Sequence, residues 1–209
     1  YKEIEQLLKV NKTVLFCGTP CQVAGLKNAL NKDYKNLFTI DIVCHGVPSQ
    51  TVFDLYLKEI ANGKNIKNVV FRNKKFVWSC ERMWIEFDDG SVYNKTRAEG
   101  DPYVTAFLDN IDLRDSCENC KFSELPRMGD LTIGDFWGID KVDNTQQDKF
   151  GTSIVLCNSH KGEKLFALLE GKGIIKEYPF NENLPNRLNK AVFSHSKQKD
   201  RFFTLLNHH

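Results

Sequence analysis

The sequence lacks the long apolar runs and the one-sided charge that mark several classes of protein. No window of its 209 residues approaches the roughly eighteen consecutive apolar residues that span a bilayer, and residues 1–10 have no apolar core of the signal-peptide kind. Lysine and arginine number 29 against 27 aspartate and glutamate, a formal net charge of +2, with no block of like charge. These absences predict a cytoplasmic protein without a membrane span, and they weaken nucleic acid as a partner.

Internal repeats and low-complexity tracts are also missing. A hydrophobic content of 41% with 27% charged residues is typical of a globular chain with one sizeable core. We therefore expect a single α/β domain over residues 1–209, with a small sub-lobe at 66–100. The start at Tyr1 rather than Met indicates a fragment of a longer protein, and His208 and His209 are typical of a purification-tag remnant.

Seven cysteines are present, and this number is informative because it is odd and no secretory signal accompanies it. Such usage argues against a disulfide framework and favours thiolates that act as metal ligands or redox groups. The cysteines are Cys17, Cys21, Cys44, Cys80, Cys117, Cys120 and Cys157.

The first part of the chain predicts two strand-helix units. An apolar strand at 13–17 leads through a turn to a helix at 21–30, and a second strand at 37–43 leads to a helix capped by Ser49. This order predicts a parallel pair of strands, and ligands gather beyond the carboxyl ends of such strands. Because Cys21 and Cys44 both follow strand ends, we expect them to lie near one another.

The rest of the chain predicts a mixed architecture. Residues 66–96 alternate apolar and polar side chains, which favours an antiparallel hairpin or three-stranded meander. Further expected elements are a helix at 102–108 capped by Asp101, a loop with Cys117 and Cys120, strands at 131–133, 152–157 and 174–175, and helices at 163–169 and 194–206. The fold class predicted is α/β, a mixed sheet with parallel strand-helix units and an antiparallel insertion.

The pair Cys117 and Cys120 forms a C-x-x-C whose two thiolates can reach one metal or one cluster. Spacing leaves four interpretations: an iron-sulfur cluster, a structural zinc, a thioredoxin-like dithiol or two loop thiols. The dithiol is disfavoured because no strand-helix unit frames the motif. Cys21 and Cys44 are candidates for the two further ligands, since backbone N–H groups in their turns can donate to sulfur. The remaining three, Cys17, Cys80 and Cys157, fall in strand-like runs and are expected to be small buried hydrophobes.

Four motifs in a fixed order carry a more specific signal. They are 16–27 (FCGTPCQVAGLK), 41–49 (DIVCHGVPS), 71–74 (FRNK), and 117–122 (CENCKF) running through to 130–138 (DLTIGDFWG). Together these motifs resemble the coenzyme F420 hydrogenase/dehydrogenase beta subunit family, and the likeness covers most of the chain. The resemblance implies an iron-sulfur flavoprotein with a 4Fe-4S cluster on Cys21, Cys44, Cys117 and Cys120, and with FAD bound close by.

A flavin needs cations or N–H groups for its phosphates and an aromatic or apolar slot for its ring. Candidate contacts, each with a structural alternative, are Arg72 and Lys74 for phosphates, Asp135 and Trp137 in a glycine-flanked turn, and Thr19 and Gln22 beside Cys21. The alternatives are solvated charges, a tight turn with a buried tryptophan, and a helix cap, respectively.

The function that we expect is electron transfer between a 4Fe-4S cluster, FAD and a redox partner, either a protein or a small-molecule carrier such as a deazaflavin coenzyme. One alternative is a non-catalytic scaffold in which the same four cysteines bind zinc. Another is a fragment that holds neither group without its upstream part.

Overall fold

A computed structural model describes residues 1–73, 81–180 and 197–206. These residues form two compact units. The first unit comprises the described residues of Tyr1–His45, Cys120–Gln146 and Thr152–Ala191, and the second those of Gly46–Asn119, Gln147–Gly151 and Val192–His209. A single-domain organisation with a sub-lobe at 66–100 stays a prediction.

The first unit contains a four-stranded mixed sheet. Its strands are β1 (Val14–Gly18), β2 (Leu37–Ile42), β6 (Leu131–Asp135) and β7 (Ser153–Cys157), in the spatial order β1-β2-β6-β7. The first three are mutually parallel, and β7 runs antiparallel to β6. The predicted α/β class with a mixed sheet is therefore confirmed, as is the parallel pairing of β1 with β2.

Helices flank this sheet because each has an apolar stripe to bury. They are α1 (Lys2–Lys9), α2 (Pro20–Leu30), α6 (Ile139–Val142) and α7 (His160–Ala167). Along α2 the side chains of Val23, Leu26 and Leu30 recur at helical spacing and are buried. Leu26 and Leu30 pack with Leu8 and Leu37 in one apolar cluster, which fixes α2 directly after β1.

The second unit holds the antiparallel sheet. It consists of β3 (Ile66–Phe71), β4 (Arg82–Phe87) and β5 (Val92–Thr96), in the order β3-β4-β5, with α3 (Gln50–Ala61), α4 (Pro102–Leu108), α5 (Asp115–Glu118) and α8 (Lys197–Leu206). Met83, Ile85 and Phe87 alternate along β4 and are all buried in the core of this unit. The predicted meander is confirmed.

Asp101 joins helix, sheet and core within the second unit. One of its carboxylate oxygens accepts the Val104 N–H at 2.7 Å, so it caps α4 as predicted. The other accepts hydrogen bonds from the hydroxyls of Tyr56 at 2.8 Å and Tyr93 at 3.0 Å. This fully buried carboxylate thus ties α3 and β5 to the start of α4.

Several predicted elements differ from the structure. The strand expected at 174–175 is wrong, since both residues lie in irregular backbone and Ile174 is 93% exposed. The helix expected at 163–169 begins at His160 instead, because Ser159 caps it by accepting the Gly162 N–H. The terminal helix is confirmed from Lys197, and residues 194–196 lie outside the described part of the chain.

The expectation of buried strand cysteines is wrong for Cys17 and Cys157, which are both exposed. Cys17 lies with Leu15 on the exposed face of β1, and Cys157 is the last residue of β7, whose Ile154 is buried. Cys80 lies outside the described residues. Across those described ranges, no helix combines the length and apolar character needed to cross a membrane.

Candidate functional site

The carboxyl edge of the first unit's sheet gathers most of the predicted site residues. Gly18 at the end of β1 pairs with Asp41, and Ile42 at the end of β2 pairs with Ile133 on β6. The residues that leave this edge from the three parallel strands are Thr19, Cys21 and Gln22 after β1, Cys44 and His45 after β2, and Asp135 to Trp137 at the end of β6. This is the edge at which ligands collect in open parallel sheets.

The start of α2 is organised by Thr19 and Gln22. The Gln22 amide oxygen accepts the Thr19 backbone N–H at 2.9 Å and the Thr19 hydroxyl at 3.2 Å. The same hydroxyl lies 3.1 Å from the Cys21 sulfur. Both side chains therefore close the helix N-terminus, which favours the helix-cap interpretation of Thr19, and they hold the exposed Cys21 sulfur at the first turn.

Gly18 belongs to the same arrangement, because an added Cβ there would lie 3.0 Å from the Gln22 amide oxygen and 3.2 Å from the Phe16 ring. A side chain at position 18 would therefore require the Gln22 amide or the Phe16 ring to move by a few tenths of an ångström.

The glycine-flanked turn after β6 has one aromatic side chain buried in the first unit and another that is partly exposed to solvent. Gly134 is required by packing, since an added Cβ would lie 2.7 Å from Val43 Cγ2. Phe136 is 4% exposed and packs with Ile139 and Ile154, whereas Trp137 is 42% exposed. The structural alternative given for this turn, a tight turn with a buried tryptophan, is wrong, because the buried aromatic is Phe136.

Cys117 lies in α5 of the second unit, a single helical turn where the sequence indicated a loop. Four residues are too few for a recognisable hydrophobic period, so the pattern misses such a turn. The Cys117 sulfur accepts the Val47 backbone N–H at 3.4 Å. Lys199 of α8 donates to Asp115 at 2.6 Å and to Glu118 at 2.7 Å, so one buried cation fixes the acidic side chains on both sides of Cys117.

Cys120 belongs to the first unit and is held through its backbone. Its carbonyl oxygen accepts the Ser123 hydroxyl at 3.0 Å, and the Ser123 carbonyl accepts Arg127 Nη1 at 2.8 Å. Arg127 Nη2 donates to Asp41 Oδ1 at 3.2 Å and to the Ile42 carbonyl at 3.0 Å. The segment after Cys120 is thereby joined to the last residues of β2.

Asp41 and Arg127 are residues that the sequence interpretation missed. Their side chains are 0% and 1% exposed, and Asp41 Oδ2 also accepts the N–H groups of Met128 and Gly129 at 3.0 and 2.8 Å. The signal available was a carboxylate inside the otherwise apolar strand 37–43, because buried charges are rare unless they are paired.

Of the two predicted phosphate-binding cations, the structure describes only Arg72. Arg72 follows β3 in the second unit, is exposed and has a positive φ of 47°. Lys74 lies outside the described residues. Both assignments stay predictions.

No disulfide joins any of the described cysteines. Within residues 1–73, 81–180 and 197–206, no three His, Cys, Asp or Glu side chains converge closely enough to hold a metal ion. Thiols are the donors that a cluster or zinc uses, and two of the candidate cysteines already have a polar contact at sulfur: Cys117 accepts a backbone N–H and Cys21 lies beside a hydroxyl.

A family model for the C terminus of the coenzyme F420 hydrogenase/dehydrogenase beta subunit matches residues 11–183. The chain belongs to this family. The match covers the parallel strands, the meander and the C-x-x-C, and it confirms the resemblance carried by the four motifs. The family thus forms part of oxidoreductases, the F420 hydrogenases and dehydrogenases.

Among solved structures, the chain is similar to a chain of the F420-reducing [NiFe] hydrogenase complex from Methanosarcina barkeri, in its xenon derivative. The identity is 13% and the TM-score 0.49, with 98% of this chain and 64% of that chain covered. This chain thus spans less than two thirds of that one. Curated protein sequences provide no match.

Proposed function

We propose that this chain is the electron-transfer part of an iron-sulfur flavoprotein, with a 4Fe-4S cluster held by Cys21, Cys44, Cys117 and Cys120. The proposal is supported above all by the family match together with the sheet edge at which Cys21 and Cys44 leave neighbouring parallel strands. Four thiolates are the ligand set that such a cluster requires. When bound, the cluster carries single electrons.

The protein's own groups have defined roles in this proposal. The Val47 N–H at the Cys117 sulfur and the Thr19 hydroxyl at the Cys21 sulfur are contacts that tune a sulfur ligand's electron density. Thr19 and Gln22 close the helix N-terminus beside Cys21. No side chain is required to act as a nucleophile.

FAD is the second cofactor of the proposal, and it couples two-electron chemistry to the cluster. Asp135 and the exposed face of Trp137 would contact the ring from the end of β6, with Thr19 and Gln22 on the β1 side, and Arg72 and Lys74 would bind phosphate. The electron partner is another protein or a small-molecule carrier such as a deazaflavin coenzyme, and the compartment is the cytoplasm.

The test is an anaerobic preparation with iron and sulfide reconstitution, followed by metal analysis, a visible spectrum and flavin release. We expect about four iron and four sulfide ions per chain, and broad absorption at the blue end of the visible spectrum. One zinc and no colour would instead establish the zinc scaffold. A chain that stays empty after reconstitution would contradict cluster binding by this chain alone and would support the fragment that needs its upstream part.

Paired variants test the ligand assignment. Cys117→Ser is expected to lose the cluster, because three thiolates and a hydroxyl do not close the site. Cys157→Ser is the matched control, since this exposed thiol at the end of an edge strand is outside the proposed ligand set. Equal iron contents in the two variants would overturn the assignment.

A further inference from the structure

A buried ion pair between Arg127 and Asp41 is joined by hydrogen bonds to the segment that follows Cys120, the second cysteine of the C-x-x-C motif. Arg127 and Asp41 are almost completely excluded from solvent, and both belong to the first unit, as does Cys120. A buried ion pair seldom adds net stability over apolar residues, because the desolvation of two charges offsets their attraction. In addition, Arg127 Nε is buried without a hydrogen-bond partner among the residues described. Stability alone therefore gives a weak reason for this pair.

The hydrogen bonds of the pair indicate a different role. From Cys120 a continuous series of bonds runs through the Ser123 hydroxyl, the Ser123 carbonyl and the Arg127 guanidinium to the carboxylate of Asp41. The Arg127 guanidinium donates a second hydrogen bond to the carbonyl oxygen of Ile42. Ile42 is the last residue of β2 and lies two residues before Cys44. One planar, multidentate donor thus fixes the distance between the Cys120 segment and the strand that leads to Cys44.

The carboxylate secures the same segment from its other side. Asp41 Oδ2 accepts the Met128 and Gly129 N–H groups, and Gly129 has no room for a side chain because an added Cβ would lie 2.6 Å from the Asp41 nitrogen. The backbone that follows Arg127 is therefore held against β2.

We propose that Arg127, with Asp41 and Ser123, is a positioning device that holds Cys120 at the carboxyl end of β2, so that Cys120 and Cys44 are presented together to a shared inorganic ligand. The identity of that ligand rests on the proposed function, whereas the positioning of Cys120 does not. Arg127 acts through the peptide chain and contacts no reacting atom.

The first test uses the metal-free chain and measures thiol reactivity. Each cysteine is alkylated with isotope-coded iodoacetamide under native conditions, and the Cys120 rate is divided by that of Cys17, an exposed thiol on edge strand β1. Ser123→Ala removes only the hydroxyl that holds the Cys120 carbonyl and is expected to raise this ratio about five-fold, the effect of one lost hydrogen bond. Ser123→Thr keeps the hydroxyl and is expected to restore the ratio.

The matched control is Ser159→Ala. Ser159 also makes two hydrogen bonds in the first unit, to Asp130 and Gly162, but it has no bond to the Cys120 segment among the described residues. Its alanine variant is expected to leave the ratio unchanged, even where overall stability falls. Equal ratios in Ser123→Ala and Ser159→Ala would overturn the proposal.

Arg127→Met provides the stronger perturbation, and circular dichroism is used to confirm that it folds. We expect a Cys120 ratio at least as high as in Ser123→Ala. If the variant does not fold, the serine pair still decides the question.

Iron release to a chelator separates this proposal from the proposed function. Reconstituted Ser123→Ala is expected to release iron several-fold faster than Ser159→Ala. If the wild-type chain binds no iron but Ser123→Ala still raises the Cys120 alkylation ratio, the cluster is refuted and the positioning of Cys120 is supported. If the wild-type chain holds its cluster, both variants release iron equally fast and the Cys120 ratio does not change, the positioning is refuted and the cluster is supported.

Discussion

At the scale of single residues, Asp112 is a carboxylate that is buried without a hydrogen bond from any other described residue. It is fully buried in the second unit, and neither carboxylate oxygen accepts a hydrogen bond from another described residue. Burial without a partner disfavours the charged form and raises the pKa of Asp112 to about 6. Most native carboxylates behave in the opposite way, because they gain partners on folding.

This shift makes a pH prediction with a defined sign. Because the pKa of Asp112 is higher in the folded state than in the unfolded state, its carboxyl group favours the folded state at low pH. Its contribution to the free energy of unfolding is complete below about pH 4 and is lost as the pH rises through about 6. The free energy of unfolding is expected to be larger for Asp112→Asn than for the wild type at pH 7, by on the order of 2 kcal/mol, and the two values are expected to converge at pH 4. Urea unfolding at both pH values provides the measurement.

The control for this prediction is Asp88→Asn, at an exposed turn position. It is expected to change the unfolding free energy little at either pH. A difference between Asp112→Asn and wild type that does not depend on pH would contradict the assignment.

At the scale of secondary-structure elements, backbone contact decides where α7 lies. Gly162 is buried in the first turn of this helix, and an added Cβ would lie 2.0 Å from the Asp130 carbonyl oxygen. Helix propensity by itself favours alanine over glycine by up to about 1 kcal/mol. Here the clash with the Asp130 carbonyl outweighs helix propensity, because a backbone atom cannot move away by rotating a side chain.

Gly162→Ala is therefore expected to lower the free energy of unfolding by about 2 kcal/mol. Gly173→Ala is the control, since an added Cβ at that position meets no heavy atom of the described residues within 4 Å, and its effect is expected to stay within about 0.5 kcal/mol. The midpoints of urea unfolding compare the two. A stabilised Gly162→Ala would show that α7 does not pack this closely against β6.

At the scale of the whole molecule, residues far apart in sequence complete each unit. The second unit takes its last helix from the end of the described chain, where Phe202, Phe203 and Leu206 of α8 pack against its apolar core. Lys199 of the same helix binds Asp115 and Glu118, more than 80 residues earlier. The turn that carries Cys117 therefore depends on the C-terminal helix.

Lys199→Met is expected to destabilise the second unit by about 2 kcal/mol, because it removes the buried cation that binds Glu118. Hydrogen exchange of the α5 amides is expected to accelerate in the same variant. Lys197→Met changes an exposed lysine of the same helix and serves as the control. Equal exchange at α5 in the two variants would mean that Lys199 does not hold this turn.

Local pattern was sufficient for much of the fold. The apolar runs before Gly18 and Cys44 predicted parallel strands, the alternation of Met83, Ile85 and Phe87 predicted the meander, and Asp101 followed by Pro102 marked a helix start. Each of these signals acts over a few residues, so neighbours in sequence suffice to express it. The C-x-x-C and the family motifs are equally local, and the family is confirmed.

Tertiary structure alone decided which face of a strand is covered and which charges are buried. Cys17 and Cys157 have strand-like neighbours, yet both are exposed, because Cys17 lies on the uncovered face of β1 and Cys157 ends β7, and the covering of a face is a property of the whole unit. Arg127 and Asp41 are ordinary charges in the sequence, and their 86-residue separation is closed only when β2 and β6 pair. The sequence by itself determined which thiols and motifs are present, and the long-range pairing of strands determined what holds Cys120 in place.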